Sequence, residues 1–306
     1  MTRWILSPAV CVVLAGVWPS AQTAQPQAMP AGRVVRPNAV IHSVANLDRS
    51  VAFYRDAVGL TPDSPPGFPS GASPELGTLT RAHGATVRAA TLTVPGGDVR
   101  LTLVQFSGVD ARPVRQRLQD PGSVKLVVRV KDMDAAFARV RDRIGGVYTE
   151  DVPASSNVIG GWATFIVGDV TATLEFYRDR LGFQPASPPA ALGPAVLSLQ
   201  GAPTATGSMS AGVRPPGAAA TWRMYDFRNV ERARLGGRLQ DPGTPAISFL
   251  VDNVQELLAK LKVAGVAVET LEARPVNVDG GLRVFVRDPN GLLIELVEDV
   301  RRTQRQ

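Results

Sequence analysis

Residues 53–60 read FYRDAVGL and residues 176–183 read FYRDRLGF. The match extends to FYRDAVGLTPDSPP (53–66) and FYRDRLGFQPASPP (176–189), an offset of 123 residues. A second motif, RLQDPG, occurs at 117–122 and again at 238–243, an offset of 121 residues. Two matches in the same order at nearly one offset mark an internal duplication. A period this long means two related domains, not a solenoid.

Each octapeptide closes a helix. Leu47, Val51, Tyr54 and Val58 form one apolar stripe, and Val170, Leu174, Tyr177 and Leu181 repeat it. Asp48 and Thr171 are the expected N-caps, and Gly59 and Gly182 the expected C-terminal stops. An alternating stretch, NAVIHSVAN (38–46), precedes the first helix as a strand. Two alternating runs around PGGD in VRAATLTVPGGDVRLTLVQF (87–106) follow it as a hairpin. After the first RLQDPG a new strand–helix pair begins, VKLVVRVKDMDAAFARVRDRIGG (124–146). PAISFLVDNVQELLAKLKVAGV (245–266) answers it in the second half. LRVFVRDPNGLLIELVED (282–299) is two strands around a DPNG turn. The elementary unit is strand, helix and about three strands, used about four times, which makes the fold α+β.

These units resemble the βαβββ modules of the vicinal oxygen chelate superfamily, which includes glyoxalase I, bleomycin- and fosfomycin-resistance proteins and extradiol dioxygenases. The resemblance rests on LDRSVAFYRDAVGL (47–60), VTATLEFYRDRLGF (170–183), VKDMDAAFARV (130–140) and VRDPNGLLIELVE (286–298). It implies tandem modules paired into cupped mixed sheets in two repeated domains, at 38–161 and 162–300. It also implies a small-molecule ligand and a divalent metal (Zn, Ni, Mn or Fe) held by the first and last strands of paired modules. Carried over residue by residue, that metal site is incomplete. His42 and Glu295 fit as ligands or as acid and base, but Thr102, Lys125, Phe165, Arg223 and Ala246 occupy positions where ligands are expected. Thr102, Lys125, Phe165 and Arg223 are instead expected to line the cups. His42 and Glu295 share a cup only if modules one and four pair, and the sequence leaves that pairing open.

GGWATFIVGD (160–169) parallels GGLRVFVRD (280–288) and reads as a third strand of module two merged with the opening of module three. Glu175 then falls in the module-three helix. The chain has two histidines, His42 and His83. A His-His-carboxylate iron site needs both, and His83 lies off the ligand positions, which disfavours extradiol dioxygenase chemistry. Lys125 and Arg223 make the cups cationic and suited to an anion. ARPVRQR (111–117) and RNVERARLGGR (228–238) read as basic helices, either solvated faces or rims of the cups that capture a carboxylate or phosphate. Two functions remain: a glyoxalase-type lyase or isomerase with a degenerate metal site, and a binding or sequestration protein of the bleomycin-resistance type.

At the N-terminus, Arg3 and an apolar run from Trp4 to Trp18 precede small and polar residues. This is the layout of a signal peptide over 1–28. A flexible leader is expected at 29–37 and a solvated tail at 301–306. The only cysteine, Cys11, lies in the signal, so the mature chain has no thiol. The expected location is periplasmic or secreted, with no membrane contact after cleavage. The net charge of +6 comes from scattered arginines with no interleaved aromatics, which argues against nucleic acid. Walker, dinucleotide, HExxH, GxSxG and CxxC motifs are absent.

Overall fold

The computed structural model describes residues 32–63, 70–71, 73–144, 157–188, 192–199, 202–205 and 207–299. The signal at 1–28 and the tail at 301–306 lie outside them.

Module one is β1 (Val34–Ser43), α1 (Leu47–Phe53) with a π-helical turn over Tyr54–Val58, β2 (Thr61–Pro62), β3 (Ser70–Gly71), α2 (Pro74–Thr80), β4 (Thr86–Thr93) and β5 (Arg100–Ser107). Module two contributes β6 (Ser123–Val130) and α3 (Met133–Ile144). Module three is β7 (Val158–Ile166), α4 (Val170–Leu181), β8 (Gln184–Ala186), α5 (Pro194–Leu199), β9 (Gly207–Arg214) and β10 (Trp222–Arg228). Module four is β11 (Pro245–Val251), α6 (Val254–Val263), β12 (Val276–Val278), β13 (Gly281–Arg287) and β14 (Leu293–Glu298).

The expected leader at 29–37 is strand from Val34 onward, because Val34 pairs with Val251 across β11. Gly32 and Arg33 also donate to the Asp252 carboxylate. The helix caps lie two residues before the expected ones. The Asn46 and Asp169 side chains accept from the backbone N–H of Arg49 and Ala172, so Asp48 and Thr171 lie in the first turn. Both helices end as expected. Gly59 and Gly182 take left-handed φ of 92° and 74°, where a Cβ is strained. Leu60 and Phe183 then donate back to the carbonyls of Tyr54 and Tyr177.

The strands form two sheets. The large one runs β12-β13-β14-β11-β1-β5-β4-β2, with β3 on β4. The small one runs β6-β7-β10-β9-β8. Modules one and four therefore share a sheet through the antiparallel pair β1·β11, and modules two and three share one through β6·β7. Each sheet draws strands from both sides of the expected boundary at 161/162. GGWATFIVGD is the opening strand of module three and not a merged strand. It pairs antiparallel with β6 and parallel with β10, as β1 pairs with β11 and β5. Glu175 lies in α4.

One face of each sheet builds the main core. Leu47 of α1, Tyr177 of α4 and Leu257 of α6 pack there with Val40, Leu103, Phe165, Met224, Ile247 and Ile294. The two sheets meet on this face, with the Trp222 and Phe249 rings 6.0 Å apart. The opposite face of each sheet is its cup face. In the large sheet Leu79 of α2 and Leu239 fill the cup against Ile41, Val104, Ala246, Phe285 and Leu293.

The repeated RLQDPG motif is a reciprocal clasp between the halves. Asp120 accepts from the Ala233 backbone N–H at 2.9 Å, and Asp241 accepts from that of Arg112 at 2.8 Å. Val114 donates to the Pro242 carbonyl, and Leu235 donates to that of Pro121. Arg117 and Arg238 pair with Asp120 and Asp241 three residues on. The expected basic helices are not formed: 111–117 and 231–238 are arms of this clasp without regular secondary structure, and N–H groups of Arg112, Val114, Ala233 and Leu235 are used across the halves. Tyr177, the tyrosine of the second octapeptide, ties modules three and four together within the second half. Its hydroxyl lies 3.4 Å from Asp288 in the DPNG turn. Burial pushes the Asp288 carboxyl above its ordinary pKa, although Asn290 and two backbone N–H groups oppose the shift.

Candidate functional site

A common origin in each module fixes which strand positions are equivalent. Asn46, Asp132, Asp169 and Asn253 each cap a helix by accepting the N–H three residues on. Four residues before each cap stand His42, Val128, Phe165 and Phe249. Seven residues before stand Ala39, Lys125, Trp162 and Ala246. Side chains alternate across a strand, so these two sets point to opposite faces.

His42 is therefore not in the cup. It lies on the core face in register with Leu103, between Val40 and Val44. Burial holds its imidazole below the ordinary pKa. Phe165 is on the core face too, fully buried and 5.2 Å from the Tyr177 ring. Both were expected in the cups and are corrected here. Each strand is apolar on both faces, so alternation alone does not say which face holds the helices. His42→Phe, which copies Phe165 and Phe249, is expected to fold normally. It is also expected to remove the loss of stability that protonating a depressed histidine causes below about pH 6.5. Acid titration of thermal melting checks it. A substantial loss of folded protein at neutral pH would show that the imidazole is required.

Glu295 is on the cup face of the large sheet. It is buried, its Oε2 accepts from the Ser248 hydroxyl at 2.6 Å, and its Oε1 lies 3.4 Å from Arg283. Asn38 donates in turn to Ser248 at 3.0 Å. Thr102 shares that face but hydrogen-bonds to Thr91 at 3.1 Å. His42 and Glu295 thus belong to one sheet and lie on opposite sides of it, so they cannot serve one substrate as acid and base or hold one metal. The cup-face set Ala39, Thr102, Ala246 and Glu295 supplies one strong ligand where a zinc-type site wants three or four. Among the described residues, no three His, Cys, Asp or Glu side chains come together. A divalent metal does not fit these donors.

The small sheet differs. Lys125 on β6, Thr164 on β7 and Arg223 on β10 stand side by side in one cross-strand row, hence on one face. Trp162 is on the same face, with the Arg223 guanidinium 5.8 Å from its ring centre. Tyr225, two residues along β10, has its hydroxyl 3.5 Å from Arg223. Arg214 on β9 belongs to this face as well, because Gly212 is in register with Arg223 and Arg214 is two residues on. Thr164 is buried, Lys125 and Trp162 are half-buried, and Arg223 and Arg214 are exposed. Neither Arg214 nor Arg223 forms an ion pair among the described residues. Burial lowers the Lys125 pKa from its ordinary value to about 8.

Two cavities open on this face and share Thr221 and Arg223. The first, about 440 Å³, lies against Trp162, Arg129, Gly160 and Gly161. Among the described residues its one carboxylate is Asp98, which accepts from the Ala220 N–H at 2.6 Å. The second, about 550 Å³, lies against Gln184, Ser187 and Arg214. Gly161 permits this architecture, since a Cβ there would come within 2.8 Å of the Val127 carbonyl and of the Val94 side chain. The sequence reading found Lys125 and Arg223 but missed Trp162 and Arg214. Counting seven residues back from Asp169 finds Trp162. Arg214 has no sequence signal apart from its alternation with Gly212.

A family model described as the Glyoxalase/Bleomycin resistance protein/Dioxygenase superfamily matches residues 160–296. No curated protein sequence matches the chain significantly. Among solved structures, glyoxalase I from Zea mays is similar with a TM-score of 0.55 and 13% identity, over 88% of this chain and 94% of that one. A putative dioxygenase from Bacillus subtilis subsp. subtilis str. 168 has a TM-score of 0.55 and 12% identity, over 88% and 86%. At such identities the likeness concerns the fold. The helix–strand units and their pairing in two sheets agree with this: residues 160–296 match the glyoxalase/bleomycin resistance protein/dioxygenase superfamily model, and the fold is like that of glyoxalase I over most of the chain.

Proposed function

We propose that this protein binds small organic acids at the cup face of the small sheet, in the manner of a sequestering protein and not of a metal-assisted lyase. One observation carries the reading. Arg223, which stands in one row with Lys125 and Thr164, lines with Trp162 and Arg129 a cavity of about 440 Å³, within the range of about 300–1,000 Å³ usual for small-molecule sites. The Arg129 and Arg223 guanidinium groups suit a carboxylate, and the indole face suits a planar or apolar body. The separation of His42 from Glu295 removes the acid–base pair that a glyoxalase-type reaction would use. Export to the periplasm or beyond is part of this proposal. It rests on the apolar run at Trp4–Trp18, and mass spectrometry of the mature N-terminus checks it.

Calorimetric titration of the full chain with benzoate is the test. Binding is expected, and Arg223→Gln and Trp162→Leu should each weaken it about tenfold, the size of a lost charge-assisted hydrogen bond or aromatic contact. Benzoate affinity indifferent to both substitutions would overturn the assignment of the site.

A further inference from the structure

The second cavity on the small sheet, about 550 Å³, differs in chemistry from the first. Among the described residues its lining holds no aromatic ring and no carboxylate, and its polar side chains are Gln184, Ser187, Arg214, Thr221 and Arg223. We propose that this cavity is a separate site for a tetrahedral oxyanion, a phosphate or a phosphate monoester. It shares Arg223 and Thr221 with the organic-acid site but does not rest on that site.

The register builds the site. Gln184 on β8 is in register with Arg214 on β9. Thr221 precedes Trp222, which pairs with Val213, so it stands on the other side of Arg214. These three side chains form one cross-strand row on the cup face. Arg223 stands in the next row of that face, opposite Gly212. It is a diagonal of about 7–8 Å from Arg214, within reach of two long side chains. Gly212 shapes the wall. A Cβ there would overlap the Ser187 carbonyl, so glycine lets Ser187 lie close over the strand. Arg214 and Arg223 form no ion pair among the described residues, and Arg223 reaches only the Tyr225 hydroxyl and the Trp162 ring. Two guanidinium groups with no carboxylate between them favour an added anion. Each guanidinium fork takes two acceptor oxygens. A carboxylate has two oxygens and satisfies one fork, whereas a phosphate has enough for both. The Ser187 and Thr221 hydroxyls and the Gln184 amide supply further donors.

Calorimetric titration of the full chain with inorganic phosphate, at about pH 8 and constant ionic strength, is the test; at that pH a phosphate monoester carries close to two charges. Binding is expected, with sulfate competing and acetate not. Arg214→Gln should weaken phosphate binding about tenfold, the size of a lost charge-assisted hydrogen bond. Arg214→Lys, which keeps the charge without the fork, should weaken it less. Arg214 is exposed, and a circular dichroism spectrum matching the wild type confirms that each variant is folded. Phenyl phosphate separates the two sources of the oxyanion. Tighter binding than inorganic phosphate supports a phosphorylated organic ligand, and equal or weaker binding supports free phosphate. Three results would each overturn the oxyanion site: no binding of phosphate, acetate competing as well as sulfate, or a phosphate affinity unchanged by Arg214→Gln. Each is read from phosphate itself and is independent of whether benzoate binds in the first cavity.

Discussion

Asp120→Asn and Asp241→Asn in the same chain are expected to destabilise the fold by about 4 kcal/mol, and each alone by about 2 kcal/mol, from charge-assisted hydrogen bonds worth roughly 1.5–3 kcal/mol apiece. Each carboxylate is buried and accepts two backbone N–H groups, one from its own turn and one from the other half. An amide offers one acceptor oxygen where the carboxylate offers two, so at least one buried donor is left unmatched in each substitution. Burial opposes ionisation at Asp120, but the Ala233 N–H and the Arg117 guanidinium outweigh it and hold the pKa below the ordinary value. At Asp241 burial is likewise outweighed, by Arg238 and the Arg112 N–H. With the folded pKa below the unfolded value of about 3.9, the contribution is fully present above pH 4 and is lost as pH falls through the folded pKa. Urea denaturation between pH 2 and 7 should therefore show a steep acid-side loss in the wild type that is much weaker in the double variant. Equal acid sensitivity in the two proteins would show that the clasp carboxylates do not hold the halves together.

The clasp also shows how far the sequence was legible. RLQDPG stood out as a repeat, yet nothing in it says that its aspartate accepts from the other half. A hydrogen bond between Asp120 and Ala233 is long-range, and local pattern is silent about such pairs. The basic arms were read as helices because arginines at helical spacing are common on solvated helix faces. In the fold their backbone donors are used across the halves. The FYRD helices, by contrast, were legible because stripe, cap and terminal glycine all lie within about twelve residues. The caps were misplaced by two positions because Asn46 and Asp48 are both good cap residues, and only the first geometry directs a side chain at a free N–H.

At the site the difficulty was one of parity. A strand with apolar residues on both faces does not announce which face holds the helices, and a shift of one position reverses every side chain. His42 looked like a ligand for this reason, and Phe165 was carried over with the same error. Lys125 on β6 lies on the cup face, and so do Thr102, Arg223 and Glu295 on the closing strands, in register with Ile41, Thr164 and Ser248 and not with His42 or Phe165. The pairing of module one with module four could not be read at all. It depends on which edge strands meet, and β1 and β11 are equally apolar on both sides.

Lys125→Met is expected to change stability and binding in opposite directions. Burial lowers the Lys125 pKa to about 8, so folding works against the ammonium at neutral pH. Each unit of such a shift corresponds to about 1.4 kcal/mol, and an apolar side chain of similar length should raise stability on the order of 2 kcal/mol at pH 7. The folded pKa lies below the unfolded value of about 10.4, so the penalty is full below pH 8 and fades as pH rises from about 8 toward 10. The stability advantage of the variant should fade over the same window. Anion binding should weaken in the variant, because Lys125 stands in one row with Arg223 and adds to the positive potential of that face. In the wild type the affinity for benzoate should fall as pH rises through about 8, because the neutral amine no longer attracts a carboxylate. Thermal melting at pH 7 and pH 10, with and without benzoate, reads both effects at once, since a ligand that binds the folded chain raises its melting temperature. A lysine kept at this position for packing alone would show neither the stability gain nor the pH-dependent response to benzoate. A cationic binding site placed on a half-buried strand predicts both, because the same desolvation that costs stability in the empty cup strengthens the attraction for an anion that enters it.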